Sequence, residues 1–133
     1  MPWGAGLFSF NRLMALRFQC TVIDCTDAKR VGEFWAALLD RPLEADPEDP
    51  SEFWIDLGGG PDLLFQNVPE AKSVKNRLHI DLRPDDQEAE VARALSLGAR
   101  HVDVGQGEQS WVVLADPEGN EFCILRALRP GEA

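Results

Sequence analysis

The side chains best suited to chemistry stand at matched positions in two halves of the chain. When the halves are aligned, Cys20 corresponds to His79, and Gln66 corresponds to Cys123. Histidine transfers protons near neutral pH and binds metals through a ring nitrogen. A thiolate is a soft metal ligand, and the glutamine amide offers a neutral oxygen. These two matched pairs are therefore the first candidates for a functional site.

A third matched pair consists of two tryptophans, Trp54 and Trp111. An indole ring can stack on a planar or cationic ligand, but large aromatic residues are also common in protein cores. The sequence leaves both roles open for this pair. Phe34 and Trp35 fall on the apolar face of a predicted helix and are assigned to the core.

These pairs belong to a repeat that covers most of the chain. The first copy runs from Phe18 to about Val68 and the second from Arg77 to about Ala127, and each predicts a strand, a helix and three strands. A unit that cannot bury its own apolar face packs against a second copy, which makes the space between the copies a natural ligand site. We predict an α+β domain at residues 16–127, with module one at 16–70 and module two at 76–127. Residues 1–15 are expected to form a flexible extension, and residues 128–133 a tail.

Module one begins with a predicted strand at 16–25, and Thr26 or Asp27 can cap the helix that follows. The segment from Glu44 to Pro50 is rich in acids and prolines and predicts a polar loop. The glycine-rich segment 58–62 predicts a hairpin turn between two further strands. No helix follows these glycines, so they do not indicate a phosphate-binding loop.

Module two begins with a strict alternation at residues 77–83. We expect Leu78, Ile80 and Leu82 to pack against the helix and the polar residues between them to face the cavity. The polar residues are Arg77, His79 and Asp81. On that face His79 would be a ligand or a general acid–base group; the alternatives are a partner for Asp81 or a buried core histidine.

Helix-end and turn signals complete module two. Asp85 with Glu88 predicts a capping box at the start of the second helix, and Gly98 is suited to its C-terminal end. Short strands are predicted at 101–104, 111–115 and 121–125. The segment Asp116 to Asn120 combines Pro, Gly and Asn, which predicts a tight turn between the last two strands.

Composition excludes several classes of function. The 133 residues carry a net charge of −10, which argues against binding to nucleic acid or to an anionic membrane surface and permits a cationic ligand. Three cysteines do not make a disulfide framework, so a cytoplasmic location is expected. The sequence lacks a GxSxG elbow, an HExxH motif, paired CxxC motifs and a Walker loop, which disfavours hydrolases and nucleotide enzymes built on those motifs.

Five segments in order resemble the vicinal oxygen chelate superfamily, which contains glyoxalases, bleomycin-resistance proteins and extradiol dioxygenases. More narrowly, the chain resembles the glyoxalase-like domains of bacterial proteins. The segments are Ile23–Asp27 and Glu33–Leu39 in the first strand and helix, Leu64–Glu70, Lys75–Leu82 and Asp116–Cys123. The resemblance covers about residues 16–127. It implies that each βαβββ module forms half of a cupped mixed β-sheet that encloses a central cavity.

The resemblance also implies a divalent metal in that cavity, with ligands on the first and last strands of each module. The matching positions are Cys20, Gln66, His79 and Cys123, where the superfamily usually has His or Gln, Glu, His and Glu. Hard ions such as Mg²⁺ prefer carboxylates, which these four positions lack, so zinc is the most compatible metal. Binding of no metal is the alternative. Gln19 replaces Cys20 on the cavity face if the strand register shifts by one residue.

Two functional hypotheses follow from the resemblance. In the first, the chain is a lyase, isomerase or dioxygenase for a small oxygenated substrate, with His79 and Gln66 as the catalytic residues. In the second, it binds or sequesters a small molecule without a metal, and the cavity tryptophans matter more than His79. The expected cavity residues are Cys20, Gln19, Trp54, Arg77, Asp81, Trp111 and Cys123. A small-molecule ligand and a homodimer are the expected partners.

Overall fold

The computed structural model describes residues 16–132, so the predicted extension at 1–15 and the final residue lie outside the described part of the chain. That part contains eight strands and two helices. In chain order they are β1 (Cys20–Cys25), α1 (Ala28–Leu39), β2 (Glu44–Asp46), β3 (Asp49–Ile55), β4 (Asp62–Asn67), β5 (Ile80–Leu82), α2 (Gln87–Leu97), β6 (Arg100–His101), β7 (Val112–Ala115) and β8 (Glu121–Ile124). Among these residues, no helix is long and apolar enough to cross a membrane.

The strands form two mixed four-stranded sheets with the same internal order. Module one has the order β1-β4-β3-β2 and module two the order β5-β8-β7-β6. In each sheet the first strand of the module pairs in parallel with the last, while the last three strands pair in antiparallel fashion. The predicted α+β fold of two βαβββ modules is therefore confirmed, and β1 and β5 each stand at a sheet edge.

A capping residue and one apolar face explain why the segment Ala28–Leu39 forms helix α1. The side chain of Asp27 accepts a hydrogen bond from the N–H of Arg30 at 3.1 Å, as expected for an N-cap residue. Val31, Trp35 and Leu38 recur at helical spacing and are buried. The helix ends at Asp40, which adopts a left-handed conformation with φ of 54°.

The polar loop predicted between Glu44 and Pro50 is wrong, because most of it is strand. Glu44 to Asp46 forms β2, and β3 already begins at Asp49. Strand β2 pairs only with β3 and lies at the edge of its sheet. An edge strand tolerates acids because its outer side needs no ladder partner. Pro50 lies in β3, ahead of the residues Glu52 to Ile55 that pair with β4, so it interrupts no pairing with that strand.

Two local predictions for module two are also corrected. Helix α2 is capped by Asp86, whose side chain accepts a hydrogen bond from the N–H of Ala89 at 3.1 Å; the capping box of Asp85 and Glu88 is not formed. Leu78 is 85% exposed and does not pack against the helix, because β5 begins only at Ile80. Alternation predicts side-chain faces only where the strand is actually formed.

Helix α1 joins the two modules. The ring of Trp35 packs edge-on against Phe122 of β8 with centroids 4.9 Å apart, and its Nε1 donates a hydrogen bond to Asp116 at 3.0 Å. At the start of the helix, the carboxylate of Glu118 accepts hydrogen bonds from two backbone N–H groups, those of residues 26 and 27. At its end, Arg93 of α2 donates to the carbonyls of residues 37 and 38. The turn between β7 and β8 and helix α2 therefore hold α1 at both ends.

Strand register changes the correspondence between the two modules. In module one Asp24 lies opposite Gln66, and in module two Asp81 lies opposite Cys123. If Gln66 corresponds to Cys123, then Asp24 corresponds to Asp81, and the residue that matches His79 is Val22. The sequence alignment of Cys20 with His79 is thus displaced by two residues. A displacement of two keeps both residues on the same face of the strand.

The tryptophan pair is not equivalent in the structure. Glu52 lies opposite Gln66, whereas Val113 lies opposite Cys123. Trp54 lies two residues after Glu52, and Ala115 lies two residues after Val113. Trp54 of module one therefore matches Ala115 of module two and not Trp111. The connections before the last strand differ in length between the modules, so equal spacing in the sequence does not give equal positions in the sheets.

Candidate functional site

Two cavities adjoin the first strands of the modules. The larger, here called the edge cavity, has a volume of about 670 Å³ and lies along β1 and the segment before β5. The smaller, here called the β8 cavity, has a volume of about 320 Å³ and is lined by residues of module two and of the linker before it. His79 and Glu121 line both cavities, so the two meet at these side chains.

Strand alternation explains which side chains face the β8 cavity. On β8, Phe122 and Ile124 belong to the hydrophobic core, so Cys123 between them projects to the opposite face. Its strand partners Asp81 and Val113 share that face. All three line the β8 cavity. The register of three strands therefore creates this surface.

The β8 cavity is lined by both apolar and polar side chains. The apolar ones, here called the apolar wall, are Val104, Trp111, Val113 and Leu125, and the polar ones, here called the polar end, are Lys75, His79, Asp81, Gln106 and Glu121. The ring of Trp111 is 37% exposed, which leaves part of its surface open to a ligand. A cavity with apolar walls and a few convergent polar groups is the usual form of a small-molecule site.

Three potential metal ligands converge at the polar end. One donor atom each of His79, Asp81 and Cys123 lies within 4.8 Å of the other two. Nε2 of His79 is 3.2 Å from Oδ1 of Asp81, and these two side chains are 46% and 48% exposed. Cys123 is only 8% exposed. The cluster thus has a buried sulfur and two ligands that solvent can reach.

The thiol of Cys123 is held in its protonated form. Burial raises its pKa, and the negative charge and hydrogen bond of Asp81 raise it further, while the ammonium group of Lys75 opposes them. A thiol must lose its proton to bind a metal. Any metal at this cluster therefore competes with the Cys123 proton.

The chemistry of this donor set fits a borderline metal ion. An imidazole nitrogen, a carboxylate oxygen and a thiolate sulfur are all common zinc ligands, and three protein ligands leave a fourth position for water or substrate. The sequence argument placed Asp81 on the cavity face but not among the metal ligands. The structure brings its carboxylate to the other two donors, because β5 and β8 pair in the register that sets Asp81 opposite Cys123.

The other predicted site residues do not join this cluster. Cys20, Trp54 and Gln66 line neither of the two cavities. Gln19 precedes β1, and its side-chain oxygen accepts a hydrogen bond from Arg17 at 3.0 Å. Arg77 lines the edge cavity beside His79. The inter-module site that combines Gln66 with His79 thus stays a prediction.

Glu121 is a cavity residue that the sequence did not single out. Its carboxylate accepts a hydrogen bond from the N–H of Asn76 at 2.9 Å and is bound by the ammonium group of Lys72 at 3.2 Å. Burial of the carboxyl favours a higher pKa, but these two partners outweigh it, so the pKa of Glu121 is lowered. A signal was available, because Glu121 directly follows the tight turn at 116–120 and opens β8 on the same face as Cys123.

Comparison with known proteins agrees with this architecture. A family described as "Glyoxalase-like domain" matches residues 20–125. A glyoxalase/bleomycin resistance protein/dioxygenase family enzyme from Burkholderia phytofirmans PsJN superposes with a TM-score of 0.66 at 19% identity, covering 85% of this chain and 100% of that one. The fosfomycin resistance protein FosX from Mesorhizobium loti gives 0.63 at 14% identity, covering 87% and 94%.

TioX from Micromonospora sp. ML1 has a TM-score of 0.58 at 17% identity, and the superposition covers 84% of this chain and 99% of that one. No curated protein matches the sequence. At these identities the solved structures show a common fold.

Proposed function

Since this chain belongs to the glyoxalase-like domain family of the vicinal oxygen chelate superfamily, we propose that it acts on a small molecule bound in the β8 cavity with the help of a metal ion. The observation that carries the proposal is the convergence of His79, Asp81 and Cys123 at the polar end of an apolar cavity. A ligand would place its apolar part against the Trp111 wall and its oxygen atoms at the cluster.

His79, Asp81 and Cys123 are the residues that would hold the metal, with zinc the best match to their donor atoms. When bound, such an ion acts as a Lewis acid and stabilises negative charge on a coordinated substrate oxygen. The apolar wall excludes water from the bound ligand, which strengthens electrostatic interactions inside the cavity. Glu121 already has two partners, so we assign it a positioning role at the junction of the linker and β8.

A metal-free binding protein is the second candidate, and two contacts favour it. His79 and Asp81 already lie within hydrogen-bonding distance of one another, and the Cys123 pKa is raised by burial and by Asp81. The first feature gives both side chains a partner in the absence of a metal, and the second disfavours the thiolate that a metal would need. In that case the cavity would bind and sequester a small molecule, and Trp111 would contribute more to affinity than His79.

Elemental analysis of the full chain purified without chelators separates the two candidates. The proposed enzyme should carry about one equivalent of a transition metal, and His79→Ala and Cys123→Ala should each lose it. Cys20→Ala is the matched control, because Cys20 is not a member of the cluster and its removal should leave the metal content unchanged. A metal-free wild-type protein that also fails to bind added zinc would refute the metal-dependent proposal.

We further propose that the chain forms a homodimer. Strands β1 and β5 lie at sheet edges, and Phe18 and Leu78 are 70% and 85% exposed. Open strand edges and exposed apolar side chains are features that a second subunit commonly covers. Light scattering after size-exclusion chromatography should give twice the 14.8 kDa mass of the chain. A monomeric mass at high micromolar concentration would contradict the proposal.

A further inference from the structure

The linker between the two modules holds one lysine at the β8 cavity. Lys72 and Asn76 both bind the carboxylate of Glu121, the first through its ammonium group and the second through its backbone N–H. Lys75 lies between these two anchors and lines the cavity. Because the Lys72 side chain and the Asn76 backbone tie the linker to β8 on both sides of Lys75, residue 75 is kept beside the cavity.

The ionisable side chains that line the β8 cavity differ in whether they have a partner of opposite charge. The carboxylate of Glu121 forms an ion pair with Lys72, and the carboxylate of Asp81 lies 3.2 Å from Nε2 of His79. The ammonium group of Lys75 donates a hydrogen bond to the carbonyl of Asn76 at 3.3 Å and forms no ion pair with any residue between 16 and 132. Among the described residues that line this cavity, Lys75 is therefore the lysine whose ammonium group has no carboxylate partner and is available to an anionic ligand.

Because Lys75 and the apolar wall line the same cavity, the cavity suits a ligand that has both an apolar part and an anionic group. Trp111, Val113 and Leu125 offer an apolar surface on the same cavity that Lys75 lines. A charge-assisted hydrogen bond gains strength beside such a surface because water screens it less. The net charge of the chain is −10, so attraction of an anion requires local positive charge at the cavity, and the ammonium group of Lys75 supplies such a charge.

We propose that the ligand of the β8 cavity is a small amphipathic carboxylate, whose apolar body lies against Trp111 and whose carboxylate binds the ammonium group of Lys75. This inference deepens the proposed function and rests on it, because it requires the β8 cavity to be the ligand site. Lys75 thereby determines specificity, since it selects an anion over a neutral or cationic molecule of the same shape.

Three aromatic probes of nearly equal shape test the proposal on the full chain. They are 2-naphthoate, 2-naphthamide and 2-naphthylmethylammonium, which differ in the charge of one substituent. Titration calorimetry at neutral pH and low salt should give an affinity for naphthoate at least tenfold higher than for naphthamide. Lys75→Gln should reduce naphthoate binding to the level of the amide and change amide binding by less than twofold. Lys75→Arg should keep most of the preference for the anion.

Two further variants keep the outcomes distinct. Lys29→Gln removes the same charge from the exposed face of α1, where Lys29 pairs with Glu33, and should leave all three affinities unchanged. Trp111→Ala should weaken every probe, because it removes part of the apolar wall. If the three probes bind equally well and Trp111→Ala still abolishes their binding, the role of Lys75 is overturned. In that case the β8 cavity remains the ligand site. Tighter binding of the ammonium probe also overturns the role of Lys75. If Trp111→Ala does not affect probe binding, or if no probe binds, the β8 cavity is not the ligand site. That result overturns both the assignment of the site and the role of Lys75.

Discussion

The buried carboxylate of Asp116 provides a direct test of how the two modules are held together. Asp116 is completely buried, and it accepts a hydrogen bond from Nε1 of Trp35 in module one at 3.0 Å. It also accepts hydrogen bonds from the backbone N–H groups of Glu118 and Asn120 and from the Asn120 side chain. Asp116→Asn keeps the shape of this side chain but replaces one acceptor oxygen with an NH₂ group.

The size of the effect follows from the geometry. The oxygen that faces Trp35 also accepts from the Asn120 side chain at 3.0 Å, so an NH₂ group there opposes two donors. A hydrogen bond to a charged group contributes roughly 1.5–3 kcal/mol, so losing two lowers the free energy of unfolding by about 3–6 kcal/mol. That is a large part of the roughly 5–15 kcal/mol that stabilises a typical domain.

Urea denaturation, followed by tryptophan fluorescence and by circular dichroism, measures this loss. Trp35→Phe is the matched variant, because it keeps an aromatic ring against Phe122 and removes one hydrogen bond, at a cost of about 1.5–3 kcal/mol. In the Asp116→Asn background the indole N–H has already lost its acceptor, so adding Trp35→Phe should cost at least about 1 kcal/mol less than in the wild type.

The double-mutant cycle also shows what would refute this reasoning. Contacting residues couple, whereas independent sites add to within about 0.3–0.5 kcal/mol. If the losses from Trp35→Phe and Asp116→Asn add within that limit, the hydrogen bond between them does not stabilise the packing of α1 on module two. A loss below about 1 kcal/mol for Asp116→Asn alone would show that the turn at 116–120 does not depend on the carboxylate.

Further predictions concern titration and helix capping. Burial, followed by the charges of Glu118 and Asp116, raises the pKa of the Cys25 thiol to about 12. The unfolded chain therefore loses this proton first, and the free energy of unfolding should fall by up to about 1.4 kcal/mol per pH unit from about pH 9 to about pH 12; urea titrations of Cys25→Ala should show a flatter profile. Because burial and Asp81 raise the pKa of Cys123, zinc affinity measured by chelator competition should rise about tenfold per pH unit from about pH 7 to about pH 8.5. Cys123→Asp should remove this slope, and a pH-independent wild-type affinity would show that the thiol is not a ligand. Glu118→Gln should cost about 1 kcal/mol in urea denaturation, because α1 loses a carboxylate at its N-terminal end; unchanged stability would contradict the assigned contact.

Much of the fold could be predicted because its signals are local. The apolar spacing of α1, its Asp27 cap, and the turn at 116–120 are each encoded within a few neighbouring residues. The repetition of one strand-helix-strand pattern then indicates two modules. Errors arose where strand pairing and not composition decides the state, as in the acidic edge strand β2 and at Leu78, which precedes the start of β5.

The candidate site could be predicted only in part. Alternation at residues 77–83 predicted that His79 and Asp81 face the cavity, and the match of Cys123 to Gln66 together with the family resemblance predicted the same for Cys123. Their convergence within 4.8 Å depends on the pairing of β5 with β8, which lie about forty residues apart in the chain. Strand pairing between remote segments has no signature in local sequence.

By itself, the sequence determined the two modules, the order of their elements and the faces on which the reactive side chains lie, because these depend on short-range periodicity and turn chemistry. Only the tertiary structure decided that Asp81 joins His79 and Cys123, that Lys75 of the linker is held at the same cavity, and that Gln66 and Trp54 line neither cavity. The physical reason is that hydrogen-bond register and linker anchoring bring together residues from separate segments, and a shift of two residues moves a side chain by about 7 Å along the strand without changing its face.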